Sequence, residues 1–129
     1  MGSRQAVTTT HAQGAIGPYS QGILAGGFLF LSGQIPIDPA TGQIVPGGIA
    51  EQTHQVLKNL GAVLEAGGAA FHNVTKTTVY LQDMADFAAM NDVYATYFTA
   101  PAPARATIQA AALPRGVKVE IDVVAYVRG

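Results

Sequence analysis

The chain has no cysteine and no tryptophan among its 129 residues. Without thiols there can be no disulfide framework, thiolate nucleophile, iron–sulfur cluster or cysteine-built zinc site. Charge is also scarce: 12% of residues are charged, against roughly a quarter in an average domain, while 49% are hydrophobic. Seven basic residues oppose eight acidic ones, the formal net charge is -1, and like charges gather nowhere. That excludes the electrostatic footprint of a dedicated nucleic-acid binder or a polybasic membrane anchor. The longest apolar run, Phe28 to Leu31, is far short of a membrane span, and MGSRQAVTTTHAQG has no apolar core of signal-peptide length. A cytoplasmic location is expected by elimination.

Familiar catalytic signatures are missing too. There is no Walker loop, G-x-G-x-x-G or H-E-x-x-H, and His11, His54 and His72 lie in unrelated segments without ligand spacing. Neither a metal nor a cofactor is expected. Ser32 stands in LSGQ instead of a G-x-S-x-G elbow, and its plainest role is a local hydrogen bond at a strand end. Gly14 to Gly17 has the spacing of an RNA-clamping loop but lacks basic helical flanks, so it reads as a turn.

What is present is an alternation of strand and helix periods in a chain of one-domain length, expected to span 1–129. Gly26-Gly27, between Ile23-Leu24-Ala25 and Phe28 to Leu31, predicts a two-residue hairpin. The stretch IPIDPATGQIVPGG, with Pro36, Pro39 and Pro46, predicts a loop. From Glu51 the period becomes helical, with Val56, Leu60, Val63 and Leu64 on one stripe and Leu57 beside it, until Gly67-Gly68. Val74 to Leu81 predicts a strand. Asp83 is the expected cap of a second helix, with Asp86 in its first turn and an apolar face of Phe87, Met90, Tyr94 and Tyr97 or Phe98. Arg105 to Ala112 and Val117 to Val127 are the last strands, and from Val124 the latter is apolar on both faces, as a doubly covered central strand should be. The expected fold class is α+β, a mixed sheet with two helices packed on one face. The uncovered face and the scarcity of charge predict another copy of the chain as its cover.

Two residues carry most of the chemical interest. Arg105 opens a strand with no acidic neighbour in sequence, a natural bidentate receptor for a carboxylate or phosphate, or else one half of a salt bridge at a subunit surface. Glu120, in VKVEI, is a half-buried carboxylate that could carry a proton at a raised pKa or simply pair with Lys118.

SGQIP (Ser32 to Pro36), KTTVYL followed by DMADFAAMN (Lys76 to Asn91), Gly17-Pro18-Tyr19 with Gly22, and above all PARATIQAAALPRGVKVEI (Pro103 to Ile121) resemble the RidA/YjgF family of reactive-intermediate deaminases. The resemblance implies a Bacillus chorismate mutase-like fold and a homotrimer with intersubunit clefts. It places the last strand between 28–32 and 74–81, with 105–112 at the edge, in place of the 105–112/117–127 hairpin that sequence adjacency suggests. It implies hydrolysis of 2-imino acids such as 2-iminobutanoate and 2-iminopropanoate, products of pyridoxal-phosphate-dependent serine and threonine dehydratases. Arg105 would hold the substrate carboxylate and Glu120 would position or activate water, both as catalytic residues. Tyr19, Ser32, Gly33, Asn91 and Thr107 would line the pocket. Two positions depart from the pattern: Ala102, expected to widen the cleft mouth, and Thr107, which offers a hydroxyl where cysteine or alanine is common. Some relatives have been described as ribonucleases or translation inhibitors, and a trimer that binds small carboxylates without turnover is a third reading.

Overall fold

The computed structural model describes residues 3–127. A short strand, β1 (Gln5–Val7), which sequence reasoning did not anticipate, pairs with β2 (Gly22–Ala25). The hairpin to β3 (Phe28–Gln34) forms as expected: Gly26 and Gly27 take φ of 59° and 84°, the left-handed pair that such a turn requires. The proline-rich stretch expected to be a loop contains a small hairpin of β4 (Ile37–Asp38) and β5 (Gln43–Ile44). Two residues per strand are too few to give a period. The hairpin is fixed instead by tertiary bonds, notably from Asn59 Nδ2 to the Ile37 carbonyl at 2.9 Å.

Helix α1 (Ile49–Ala66) begins two residues before Glu51, because the Glu51 carboxylate reaches back to accept from the Gly48 N–H at 2.9 Å. Its expected stripe of Val56, Leu57, Leu60, Val63 and Leu64 is fully buried, each side chain contributing roughly 1.5–3 kcal/mol of transfer free energy. Strand β6 (Val74–Leu81) follows as expected. Asp83 does cap, accepting from the Ala85 N–H at 2.9 Å, but the turn it opens is a short 3-10 segment, Met84–Asp86, ahead of α2 (Phe87–Tyr94). Tyr97 and Phe98 therefore lie beyond the helix, still packed on the core. Strand β7 (Ala104–Gln109) is shorter than the expected 105–112, since its partner β6 ends at Leu81, opposite Gln109. The last strand is β8 (Val119–Tyr126).

The main sheet has the order β1-β2-β3-β8-β6-β7, with β6 and β7 parallel and the other pairs antiparallel. Consecutive β7 and β8 are not neighbours; β8 runs through the middle, as the resemblance implied and its two apolar faces suggested. Both helices cover one face, over Leu29, Leu31, Val79, Ile121 and Val123. The other face leaves Phe28, Phe30, Ile108 and Tyr126 exposed, with the Phe28 and Tyr126 rings 5.1 Å apart. Among the described residues no helix is long and apolar enough to cross a membrane.

Candidate active site

Alternation along β8 sends Val119, Ile121, Val123 and Ala125 into the core and leaves Glu120 and Asp122 on the face without helices. Beside Glu120 the pairing of β3 with β8 slips between Leu31 and Gln34, and Ser32 and Gly33 fall in the slip. A Cβ at Gly33 would collide with the Glu120 carboxylate and lie 2.9 Å from its Cδ, so glycine is what lets this carboxyl lie across the strand. The two residues border a cleft of about 420 Å³ whose walls include Tyr19, Ser32, Ile37 and Arg115.

Local hydrogen bonds hold these walls. Ser32 Oγ donates to the Ser20 carbonyl at 2.6 Å, so its proton serves the plain strand-end role while the residue still lines the cleft. Buried Gln21 accepts from the Thr9 N–H at 2.7 Å and donates to the Gln13 carbonyl at 2.7 Å, pinning the segment that forms the outer wall. Tyr19 remains exposed. Burial raises the Glu120 carboxyl above the usual carboxylate range, and the nearby negative charge of Asp122 raises it further. Lys118, the alternative partner considered from sequence, does not offset this.

Arg105 stands opposite Thr77 in β6, and its surroundings come from α2. Its Nη1 donates to Asn91 Oδ1 at 2.7 Å, and its guanidinium carbon lies 4.7 Å from the Tyr94 ring centroid and 5.5 Å from that of Phe87. Phe87, Asn91 and Tyr94 follow one another at four and three residues, a single stripe of the helix. Tyr94 is fixed in turn by a 2.8 Å hydrogen bond to the fully buried Thr77 hydroxyl. The arginine is therefore not unpartnered, as its sequence neighbourhood suggested. Its partner is a neutral amide, which orients the guanidinium without neutralising it. Thr107, two residues along on the same side, has a buried hydroxyl oxygen without a hydrogen-bond partner.

The sheet register separates these groups. Arg105 aligns with Thr77, whose side chain faces the helices, while Glu120 aligns with Tyr80, three residues on and thus on the opposite face. Within one chain, Tyr19, Ser32, Gly33 and Glu120 come together, and Arg105, Asn91 and Thr107 come together, but the two groups do not meet. Ala102 joins neither group within the chain; it lines a separate hollow of about 310 Å³ with Phe71, Val74 and Phe98.

Sequence reasoning missed Phe87 and Tyr94 as the bracket of Arg105, because their spacing fits an ordinary core stripe. Two aromatics flanking Asn91 on that stripe were the available signal. Arg115 gave none. It enters the cleft wall from a left-handed conformation, φ 56°, in the turn Pro114–Gly116.

The chain is a small α+β domain with two separate polar clusters, Glu120 in its cleft on one face of the sheet and Arg105 held by Asn91 on the other. The chain belongs to the Endoribonuclease L-PSP family, whose sequence model it matches over residues 9–127. It is 52% identical over 122 residues to a mouse protein named 2-iminobutanoate/2-iminopropanoate deaminase, covering 95% of this chain and 90% of that one. The human protein of the same name is 51% identical, with 95% and 89% covered. Among solved structures, YyfA from Yersinia pestis, of the conserved Rid protein family, superposes with a TM-score of 0.94 at 45% identity, covering 97% of this chain and all of that one. Escherichia coli TdcF with bound serine gives a TM-score of 0.90 at 41% identity, covering 95% and 98%.

Proposed function

We propose that the chain is a 2-iminobutanoate/2-iminopropanoate deaminase that works as a homotrimer in the cytoplasm, with each active site shared between two subunits. The observation that carries this reading is the separation of Arg105 from Glu120 on opposite faces of one sheet, in a chain about half identical to named deaminases. One substrate can touch both groups only if a second copy brings its Arg105 edge to the Glu120 cleft. The exposed aromatic face and the low charge favour such an assembly. TdcF holding serine, a small molecule with one carboxylate, agrees with an arginine receptor of this kind.

The chemistry fits the inventory. Arg105, oriented by Asn91 and faced by Phe87 and Tyr94, holds the substrate carboxylate, with the Thr107 hydroxyl beside it. A protonated imine is already electrophilic at C2, so hydrolysis needs a placed water and a proton carrier. As water oxygen bonds to C2, Glu120 takes its proton and the C=N π pair moves to nitrogen. Glu120 returns that proton to the carbinolamine nitrogen, making it an ammonium group. The C–N bond then breaks, ammonia leaves with the pair of that bond, an oxygen pair forms the C=O of the 2-oxo acid, and the hydroxyl proton passes back to Glu120. Glu120, with its raised proton affinity, suits these transfers. A net charge of -1, with no cluster of basic residues in the sequence, favours this small substrate over a polyanionic nucleic acid. The reaction that supplies the imine is that of a pyridoxal-phosphate-dependent serine or threonine dehydratase.

The test is a coupled assay. Added to a threonine dehydratase, the protein is expected to speed 2-oxobutanoate formation and ammonia release beyond the spontaneous rate. An unchanged rate, with 2-oxobutanoate still bound, would leave the non-catalytic carboxylate-binding reading in its place.

A further inference from the structure

Asp122 is an acidic group on the site's face that the chemistry above does not use. It follows Glu120 by two positions on β8 and shares its face. Tyr80 stands opposite Glu120 in the register, yet its hydroxyl goes to the diagonal neighbour, donating to Asp122 Oδ2 at 2.9 Å. Thr78, directly opposite Asp122, brings no charge.

We propose that Asp122, clamped by Tyr80, is a positioning residue that turns the Glu120 side chain toward Gly33 and the cleft and sustains it as a proton carrier. The proposal rests on the reading of Glu120 as the acid–base group. Two carboxyl groups at alternate positions of one strand face lie within about 7 Å and disfavour each other's charged form. The hydrogen bond from Tyr80 goes to Asp122 and not to Glu120, so of the two carboxyls Glu120 is the one left without this donor, and its charged form is the one disfavoured. Tyr80 remains a neutral donor, its own ionisation pushed up by burial and then by Asp122. The other titratable groups of this region are Lys118 just before β8, Lys76 on β6 opposite Val124, and Arg115 and Tyr19 in the cleft walls. The nearest residues of β3, Ser32 and Gly33, and of β7, Ala106 and Ile108, carry no charge. The Glu120 carboxyl itself lies in the space that the missing Gly33 side chain leaves open.

The chain has three glutamates, so protein labelled with 13C at the glutamate carboxyls gives three signals, and Glu120→Gln identifies the one that matters. In Asp122→Asn the titration midpoint of Glu120 should move to lower pH, and in Asp122→Glu, which keeps the charge, it should stay near that of the unsubstituted protein. The acid limb of kcat/KM should move in the same direction in the asparagine variant, with little change in KM. Should Asp122→Asn fail to fold, Asp122→Ser removes the same charge in a smaller side chain. A midpoint that does not move when the charge is removed would overturn the proposal. Absence of turnover in the unsubstituted protein would instead refute the deaminase reading, and the carboxyl titration would still decide the role of Asp122.

Discussion

Arg105→Ala and Glu120→Gln are each expected to be inactive alone and to regain turnover when the two chains are co-assembled. Loss of the proton carrier or of the carboxylate receptor costs about 10²-fold or more, which leaves each variant near 1% of normal activity. If one chain supplies the cation and its neighbour the carboxyl, a site works when its cation comes from a Glu120→Gln chain and its carboxyl from an Arg105→Ala chain. In an equal random mixture that is about one quarter of all sites, and in isolated trimers containing both chains about one third, far above the background of either parent. The chains would be co-expressed with different tags, mixed assemblies isolated through both, and imine hydrolysis followed by 2-oxo acid formation. A control mixes the double variant with the unsubstituted chain: sites built within one chain would leave about half of them working, sites built between chains about one quarter. Mixed assemblies no more active than their parents would refute the shared site, and with it the significance attached to the two faces of the sheet.

Three further outcomes are expected. Gly33→Ala should retain the fold but lose about 10²-fold in turnover, because the new methyl group occupies the place of the Glu120 carboxylate; normal activity in the coupled assay would show that this placement is not needed. Glu120→Gln should unfold at higher temperature than the unsubstituted protein at neutral pH. A carboxyl whose folded pKa is raised binds a proton that the unfolded chain has already released, so stability falls as pH rises from the ordinary carboxylate range through the raised value. The advantage of the glutamine should vanish below that range, and calorimetry showing the same difference at pH 3 and pH 7 would contradict the sign. Asn59→Ala should cost about 1–3 kcal/mol in denaturant unfolding, since it removes buried hydrogen bonds to the Ile35 and Ile37 carbonyls; a loss near zero would mean that the β4–β5 hairpin holds itself.

Much of the fold was legible because its long elements obey a period. The α1 stripe, the Gly26-Gly27 turn and the apolar centre of β8 all follow from side-chain spacing and backbone conformation. The short pairings were not: β1, β4 and β5 have two or three residues each, and distant partners hold them in place. Strand order was beyond local pattern as well, since adjacency argues for a 105–112/117–127 hairpin and only the family resemblance corrected it. For the site, residue types singled out Arg105 and Glu120, but whether they could share a substrate depended on parity along β6, where Thr77 and Tyr80 differ by three. The bracket of Phe87 and Tyr94 around Arg105 stayed hidden because an aromatic that orients a cation and one that fills a core have the same spacing.

Placing the cation and the carboxyl on opposite faces also shapes how activity depends on dose. On the trimer reading, a dissociated chain contributes nothing, so rate per chain should climb with total concentration and level off only when association is complete. Substitutions at Phe28, Phe30 or Tyr126, far along the sheet from Glu120, would then look like catalytic defects in a dilute assay and like silent changes in a concentrated one. A titration of enzyme, read before any titration of substrate, separates residues that perform the chemistry from residues that bring its two halves together.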